Sequence, residues 1–172
     1  MEIRLAEEKD IKELQKIAER SWHDTYSGII PEKIQDEFIK RAYSDSFLLK
    51  RLKHSFFIVA ILEGKIVGFA NFSFKNLHKD VELSAIYLLP EFQRKKIGTT
   101  LLREGIKQLS PIFHLYVDVE KENKKALSFY QSQGFRKIKE FDAMCFGHRL
   151  QTVKMVLDLE PLEQEDLQFL KK

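Results

Sequence analysis

The chain has 172 residues, 44% of them hydrophobic and 32% charged, a soluble globular composition with enough length for one domain with a real core. Its 29 basic and 26 acidic residues leave a net charge of only +3, too balanced for a general nucleic-acid binder. One cysteine, Cys145, excludes an intrachain disulfide and a cysteine-based zinc site. The charged start MEIRLAEEKD lacks a signal-peptide core, and no apolar run approaches the ~18 residues of a membrane span. The expected setting is cytoplasmic, with neither a membrane nor a nucleic acid as partner.

In chain order, residues 2–5 read as a short strand. Ile11, Leu14, Ile17, Ala18 and Trp22 then recur at helical spacing. A second helix is predicted from about Glu32 to Tyr43, with Pro31 at its first turn. FFIVAIL (56–62) and IVGFANFSF (66–74) form a hairpin about the turn EGK, and VELSAIYLL (81–89) is a third strand ended by Pro90. A helix follows over 98–109, then a strand over 112–119 and a short helix closed by Gly134. FRKIKEF and VKMVLDL complete the sheet as a last hairpin across the 142–151 segment. Residues 1–160 are expected to form a single domain, and 161–172 a tail, either a short helix or disordered. The pattern predicts an α/β (α+β) fold: a mixed, mostly antiparallel sheet of six to seven strands flanked by about four helices.

Two stretches carry chemistry. In PEFQRKKIGTTLL (90–102), Arg94, Lys95 and Lys96 gather at the mouth of a helix, where the dipole is positive and carboxylates are the usual occupants. A bound anion such as a pyrophosphate accounts for this; a solvated basic loop is the equal alternative. In NKKALSFYQSQGF (123–135), Asn123 suits a helix cap, while Ala126 and Tyr130 share one face.

Together, ELSAIYLLPEFQRKKIGTTLL and NKKALSFYQSQGF resemble the acetyl-CoA core of the GCN5-related N-acetyltransferases (GNAT). The family pattern is a strand ending in an I-Y-V-like triplet, a proline, Q/R-x-x-G-x-G/A, and then N-x-x-A-x-x-F-Y-x-x-x-G-F. The resemblance implies that the loop Gln93, Arg94, Lys95, Lys96, Ile97, Gly98 and Thr99 holds the pyrophosphate of coenzyme A. It implies that main-chain groups of Ile86, Tyr87 and Leu88 pair with the pantetheine arm, and that Asn123 and Tyr130 contact the cofactor. Lys96 departs from the pattern, standing where the family has its first glycine.

Acetyl transfer to an amine needs a neutral nucleophile and a proton for the departing thiolate. Tyr130 is the candidate acid. Glu82, 11 residues before Gln93, matches the glutamate base of some family members, with a solvated strand carboxylate as the alternative. Ser84 could order water beside it. WHDTYSGIIPEKI (22–34) resembles the W-x-x-T-Y-x-x-x-I/L-P of a small-molecule branch that includes the bacterial spermidine/spermine enzymes of the Pai type. In that light Trp22 and Tyr26 flank an alkyl-amine and Asp24 holds an ammonium; a packed helix end with a buried aromatic pair is the competing view. No metal is expected, because the histidines lack ligand spacing. The resemblance thus implies acetyl-CoA as co-substrate, a primary amine such as a polyamine as acceptor, and a homodimer. The alternatives are a protein N-terminus or lysine as acceptor, a non-catalytic acetyl-CoA sensor, and an RNA-binding surface.

Overall fold

A computed structural model of the chain describes residues 1–159. Seven strands form one sheet: β1 (Glu2–Leu5), β2 (Phe56–Leu62), β3 (Lys65–Phe72), β4 (Asp80–Leu88), β5 (His114–Glu120), β6 (Arg136–Cys145) and β7 (His148–Asp158), in the order β1-β2-β3-β4-β5-β7-β6. Every neighbouring pair is antiparallel except β4 and β5, which run parallel. The helices are α1 (Ile11–Tyr26), α2 (Glu32–Ala42), α3 (Asp45–His54), α4 (Ile97–Leu109) and α5 (Lys124–Ser132).

The sheet is covered on both faces. Ile58, Ala60, Val67 and Phe72 point to one face, against Leu101 and Leu102 of α4 and Tyr130 of α5. Phe57, Val59 and Phe69 alternate to the other face, against Leu14 and Ile17 of α1 and Leu48 of α3. The alternation has period two in β2, as the sequence pattern requires, whereas in β3 a register shift opposite Ala60 and Ile61 leaves Val67 as an extra residue and puts Val67 and Phe69 on opposite faces.

Two features differ from the expectation. The helix α3 was absent from it, although Ser44 caps it by accepting the Phe47 N–H at 3.3 Å and Asp45 and Arg51 bias its ends correctly. The last hairpin has no long crossing. β6 and β7 run through 142–151, and the chain turns only at Phe146 and Gly147, both at positive φ. The predicted tail 161–172 lies outside the described residues. No helix among the described residues is long and apolar enough to cross a membrane.

The strand β4 is irregular in a way that positions the site. Leu83 lies opposite Phe72 and Ala85 opposite Asn71, so Ser84 is an extra residue, a β-bulge. The bulge exchanges the faces. Val81 and Leu83 enter the α4/α5 core, whereas beyond Ser84 it is Ile86 and Leu88 that pack there, and Ala85 and Tyr87 turn to the α1–α3 side. On its other edge β4 pairs with β5 only from Asp80 to Glu82. From Leu83 onward the two parallel strands diverge.

Candidate active site

The divergence of β4 and β5 opens a cleft of about 800 Å³. Its near wall is the free edge of β4 from Leu83 to Leu88, its far wall Val117, Asp118 and Val119 of β5. Because β4 has a strand neighbour only on its β3 side here, half of its main-chain N–H and C=O groups face the cleft. An extended chain carrying amides could pair with that edge as an added strand does.

One end of the cleft is built for negative charge. The first main-chain bond within α4 is the Thr100 N–H to Lys96 C=O, at 3.0 Å, which leaves the N–H groups of Ile97, Gly98 and Thr99 without helical acceptors. Lys96, the N-cap, makes no side-chain cap, and the first turn holds no acid. Arg94 and Lys96 both adopt left-handed backbone, at φ 59° and 62°, a conformation that usually favours glycine. Neither has a carboxylate within ion-pair distance among the described residues; nearby carboxylates are taken by others, Glu91 by Arg20 and Glu122 by Lys124. Lys124 and Lys125, in the first turn of α5, line the same cleft. Free N–H groups, a helix dipole, Arg94 and Lys96 meet where a polyphosphate would fit, with the α5 lysines in the same lining.

Gly98 lies in this wall with room to spare. An added Cβ would stand 3.6 Å from the Phe129 ring, an ordinary contact, so protein packing does not demand a glycine there.

The middle of the cleft holds two tyrosines. Tyr130 is 6% exposed and packs edge-on against Phe129 and Phe135, each at 5.2 Å. Burial pushes its phenol well above the ordinary value, and the nearby Tyr26 adds to this. Tyr26, from the end of α1, faces the Asn123 side chain, and its phenol is also raised by burial. The Asn123 Oδ1 accepts the Ala126 N–H at 3.1 Å, so the cap predicted for it is formed, and its residue lines the cleft as well. Ser84 lines the cleft at the bulge.

Most of the residues singled out from the sequence come together here: Ile86, Tyr87, Leu88, Gln93, Arg94, Lys96, Ile97, Gly98, Thr99, Asn123 and Tyr130, with Trp22, Tyr26 and Ser84. Three stand outside the lining. Lys95 lies over the Phe92 ring at 5.0 Å. Asp24 is exposed and accepts a long hydrogen bond, 3.4 Å, from Gln93 Nε2. Glu82 is exposed, and its N–H donates to Ser73 Oγ at 2.9 Å. Trp22 is only 6% exposed and stacks on Phe38 at 3.9 Å, so one face of its ring is covered. Other carboxylates of this region are paired with cations of the chain itself. Asp118 pairs with Lys154 at 2.7 Å, Asp36 with His23 at 3.3 Å and Glu37 with Arg41 at 2.9 Å. Sequence reasoning missed the far wall, Val117 and Val119, and the α5 face carrying Lys125 and Ser128; the i, i+3 spacing of Lys125 and Ser128 was the available signal. Among the described residues, no group of three or more His, Cys, Asp or Glu side chains is placed to hold a metal ion.

Residues 12–135 match the model of the acetyltransferase (GNAT) family. The chain is 32% identical over 154 residues to a spermidine N(1)-acetyltransferase of Thermoplasma acidophilum, covering 85% of this chain and 94% of the relative. It is 31% identical over 156 residues to YuaI, an uncharacterized N-acetyltransferase of Bacillus subtilis, covering 88% and 89%. The crystal structure of the PaiA N-acetyltransferase from Thermoplasma acidophilum in complex with coenzyme A superposes with a TM-score of 0.80 at 29% identity, over 92% of this chain and 98% of that one.

Proposed function

The chain belongs to the acetyltransferase (GNAT) family and is an acetyl-CoA-dependent acyltransferase, and from that premise we propose that it acetylates a primary amine, a polyamine such as spermidine or spermine first, by direct transfer in a ternary complex. The observation that carries this is the cleft, an open β4 edge leading from a cationic, uncapped helix start to a buried tyrosine hydroxyl. The residues fit coenzyme A: Ile86, Tyr87 and Leu88 for the amide-bearing arm, Gln93, Arg94 and Lys96 to Thr99 for the pyrophosphate, and Asn123 at the start of α5. The coenzyme supplies an activated acetyl thioester.

This chain's residues orient the reaction and move its protons. The amine must be neutral to attack, and a lysine-like amine has a pKa of about 10.4. As the C–N bond forms and the C–S bond breaks, the amine loses one proton and the sulfur leaves with the bond's electron pair as a thiolate. Tyr130, kept protonated by its raised pKa, donates a hydrogen bond to the departing sulfur. Ser84 orders the water that takes the amine's proton, and Glu82, outside the lining, receives that proton through water. Direct transfer is supported by Cys145, which is not in the lining and whose thiol is pushed up by burial. A cytoplasmic setting and a homodimer belong to the same proposal.

A protein N-terminus or lysine is the second acceptor class. What favours it is the pairing of Asp118, Asp36 and Glu37 with their own cations, because a polycation prefers unpaired carboxylates. The test is thiol release from acetyl-CoA with spermidine, spermine, an aminoglycoside and a peptide with a free N-terminus, beside calorimetric binding of CoA. Polyamine turnover supports the first class and peptide turnover the second. Binding of CoA with no turnover of any amine would refute the amine reading.

A further inference from the structure

Tyr87 belongs to both walls of the site. Its main chain lies on the free edge of β4, in the cleft. Its side chain, turned over by the bulge at Ser84, packs into the α1–α3 core, edge-on to Phe69 at 5.4 Å. There its hydroxyl accepts the Trp22 indole N–H at 2.9 Å.

That bond fixes an aromatic wall. Trp22 stacks on Phe38, with ring centres 3.9 Å apart and planes at 16°, and meets Tyr26 at 4.6 Å and 52°. Trp22 and Tyr26 both line the cleft. A buried indole can rotate or tilt unless its one polar atom is held, and the Tyr87 oxygen is the partner it has here.

The anchor is itself anchored. Behind Tyr87 stands Tyr43, with ring centres 6.2 Å apart, and the Arg51 guanidinium covers the Tyr43 ring at 4.9 Å. Arg51 donates through Nε and Nη2 to the Asn71 Oδ1, at 2.9 and 2.8 Å, and Asn71 donates to Ser55 Oγ at 2.6 Å. A packed series of side chains therefore runs from Arg51 of α3 through the rings of two tyrosines to the cleft. If packing were all that position 87 required, a phenylalanine would serve; the hydroxyl has a separate task.

We propose that Tyr87 is a positioning residue for the acceptor: its hydroxyl holds the Trp22 indole, and with it the Trp22–Tyr26 wall, in the orientation that receives the amine. This rests on the amine-acceptor reading above. It separates the two faces of one residue, main chain for the coenzyme and side chain for the acceptor.

Trp22 is the chain's only tryptophan, so its fluorescence reports on this wall directly. The experiment titrates spermidine, and in parallel the free-N-terminus peptide, against the CoA-loaded protein while following Trp22 emission. Wild type is compared with Tyr87→Phe, which keeps the ring and removes only the hydroxyl. The expected result is about fivefold weaker amine binding in Tyr87→Phe, the net value of one hydrogen bond, with CoA affinity changed by less than about twofold. In turnover the loss falls on the amine's KM rather than on kcat. Trp22→Phe, assayed by thiol release, removes the donor from the other side; in that background Tyr87→Phe is expected to add nearly nothing.

An unchanged amine affinity in Tyr87→Phe, or an equal loss of CoA affinity, overturns the proposal, the second because it marks a merely structural role. Additive effects of the two substitutions overturn it as well. A wild-type protein that binds CoA but shows neither an emission change nor turnover with any amine overturns the amine reading, and this proposal with it.

Discussion

Lys96→Gly tests how the loop at the helix start is built. Lys96 sits at φ 62°, ψ 6° as the N-cap of α4, with no side-chain cap. Left-handed backbone costs a residue with a Cβ roughly 1–2 kcal/mol, which glycine recovers. Glycine adds unfolded-state freedom worth about 0.4–1 kcal/mol in the opposite direction. The variant should therefore be as stable as wild type or more stable by up to about 1.6 kcal/mol, a Tm rise of roughly 0–6 °C for a chain of this size. The side chain also leaves the cationic mouth of the cleft. One solvent-screened charge facing a pyrophosphate is worth about 1 kcal/mol at contact, so CoA affinity should fall by less than about tenfold. Calorimetry at two salt concentrations and a thermal melt read both numbers, and higher salt should shrink the affinity difference. A Tm that drops by several degrees would refute the conformational argument. A loss of CoA affinity beyond tenfold would show that the Lys96 side chain grips phosphate directly.

Tyr130→Phe should lower kcat by about 100-fold or more while CoA affinity and Tm hold, because the hydroxyl has no protein partner to strand among the described residues. Since that phenol is raised above its ordinary value, it stays protonated through neutral and mildly alkaline pH; the rate with wild type should climb as the amine loses its proton and show no fall from Tyr130 below about pH 10. Gly105→Ala should destabilise the fold by about 1–3 kcal/mol, less a helix-propensity gain below about 1 kcal/mol, because its Cβ would come within 2.2 Å of the buried Phe72 ring; a melt that does not move contradicts this. Asp10 loses hydration on burial, but two hydrogen bonds from Arg4, at 2.7 and 3.0 Å, and one from the Glu7 N–H hold its carboxyl below the ordinary range. Its contribution is present above the unfolded value of about 3.9 and is lost as pH falls through the lower folded value. Asp10→Asn should therefore lower stability at pH 7 by about 1–3 kcal/mol, and the gap to wild type should narrow as pH falls below the ordinary carboxylate range.

Much of this was legible because local chemistry and tertiary role coincide. The strands 56–62 and 65–72 are β-branched and aromatic runs joined at Glu63 and Gly64, both at positive φ as a tight hairpin requires. Pro90 and Gly134 punctuate the cofactor motifs where strand and helix end. The helix α3 was harder to see because Leu48 is its one buried residue and Phe47 is 52% exposed, which blurs the apolar stripe. Carboxylate pairing is hidden for a related reason: nothing local to Asp118 shows that it faces Lys154 across β5 and β7. The Trp22–Tyr87 bond joins residues 65 positions apart, and nothing in the local pattern of either announces it.

The bulge at Ser84 was the least legible feature and governs the most. VELSAIYLL looks like one uninterrupted strand, and a strict period of two would send Val81, Leu83, Ala85 and Tyr87 to the same face. With one residue inserted opposite Phe72 and Asn71, the last two go to the other face instead. Tyr87 can then reach Trp22, while Ile86 and Leu88 pack toward α4. The same irregularity lies where β4 parts from β5, since their pairing stops at Glu82 and Tyr116. A fully paired sheet would be more stable there, because each added ladder bond contributes about 0.5–1.5 kcal/mol. The opened edge gives that up, and an extended ligand bearing its own amides could restore it. One inserted residue thus sets which side chains of β4 face each core, and it lies where the free edge of β4 begins.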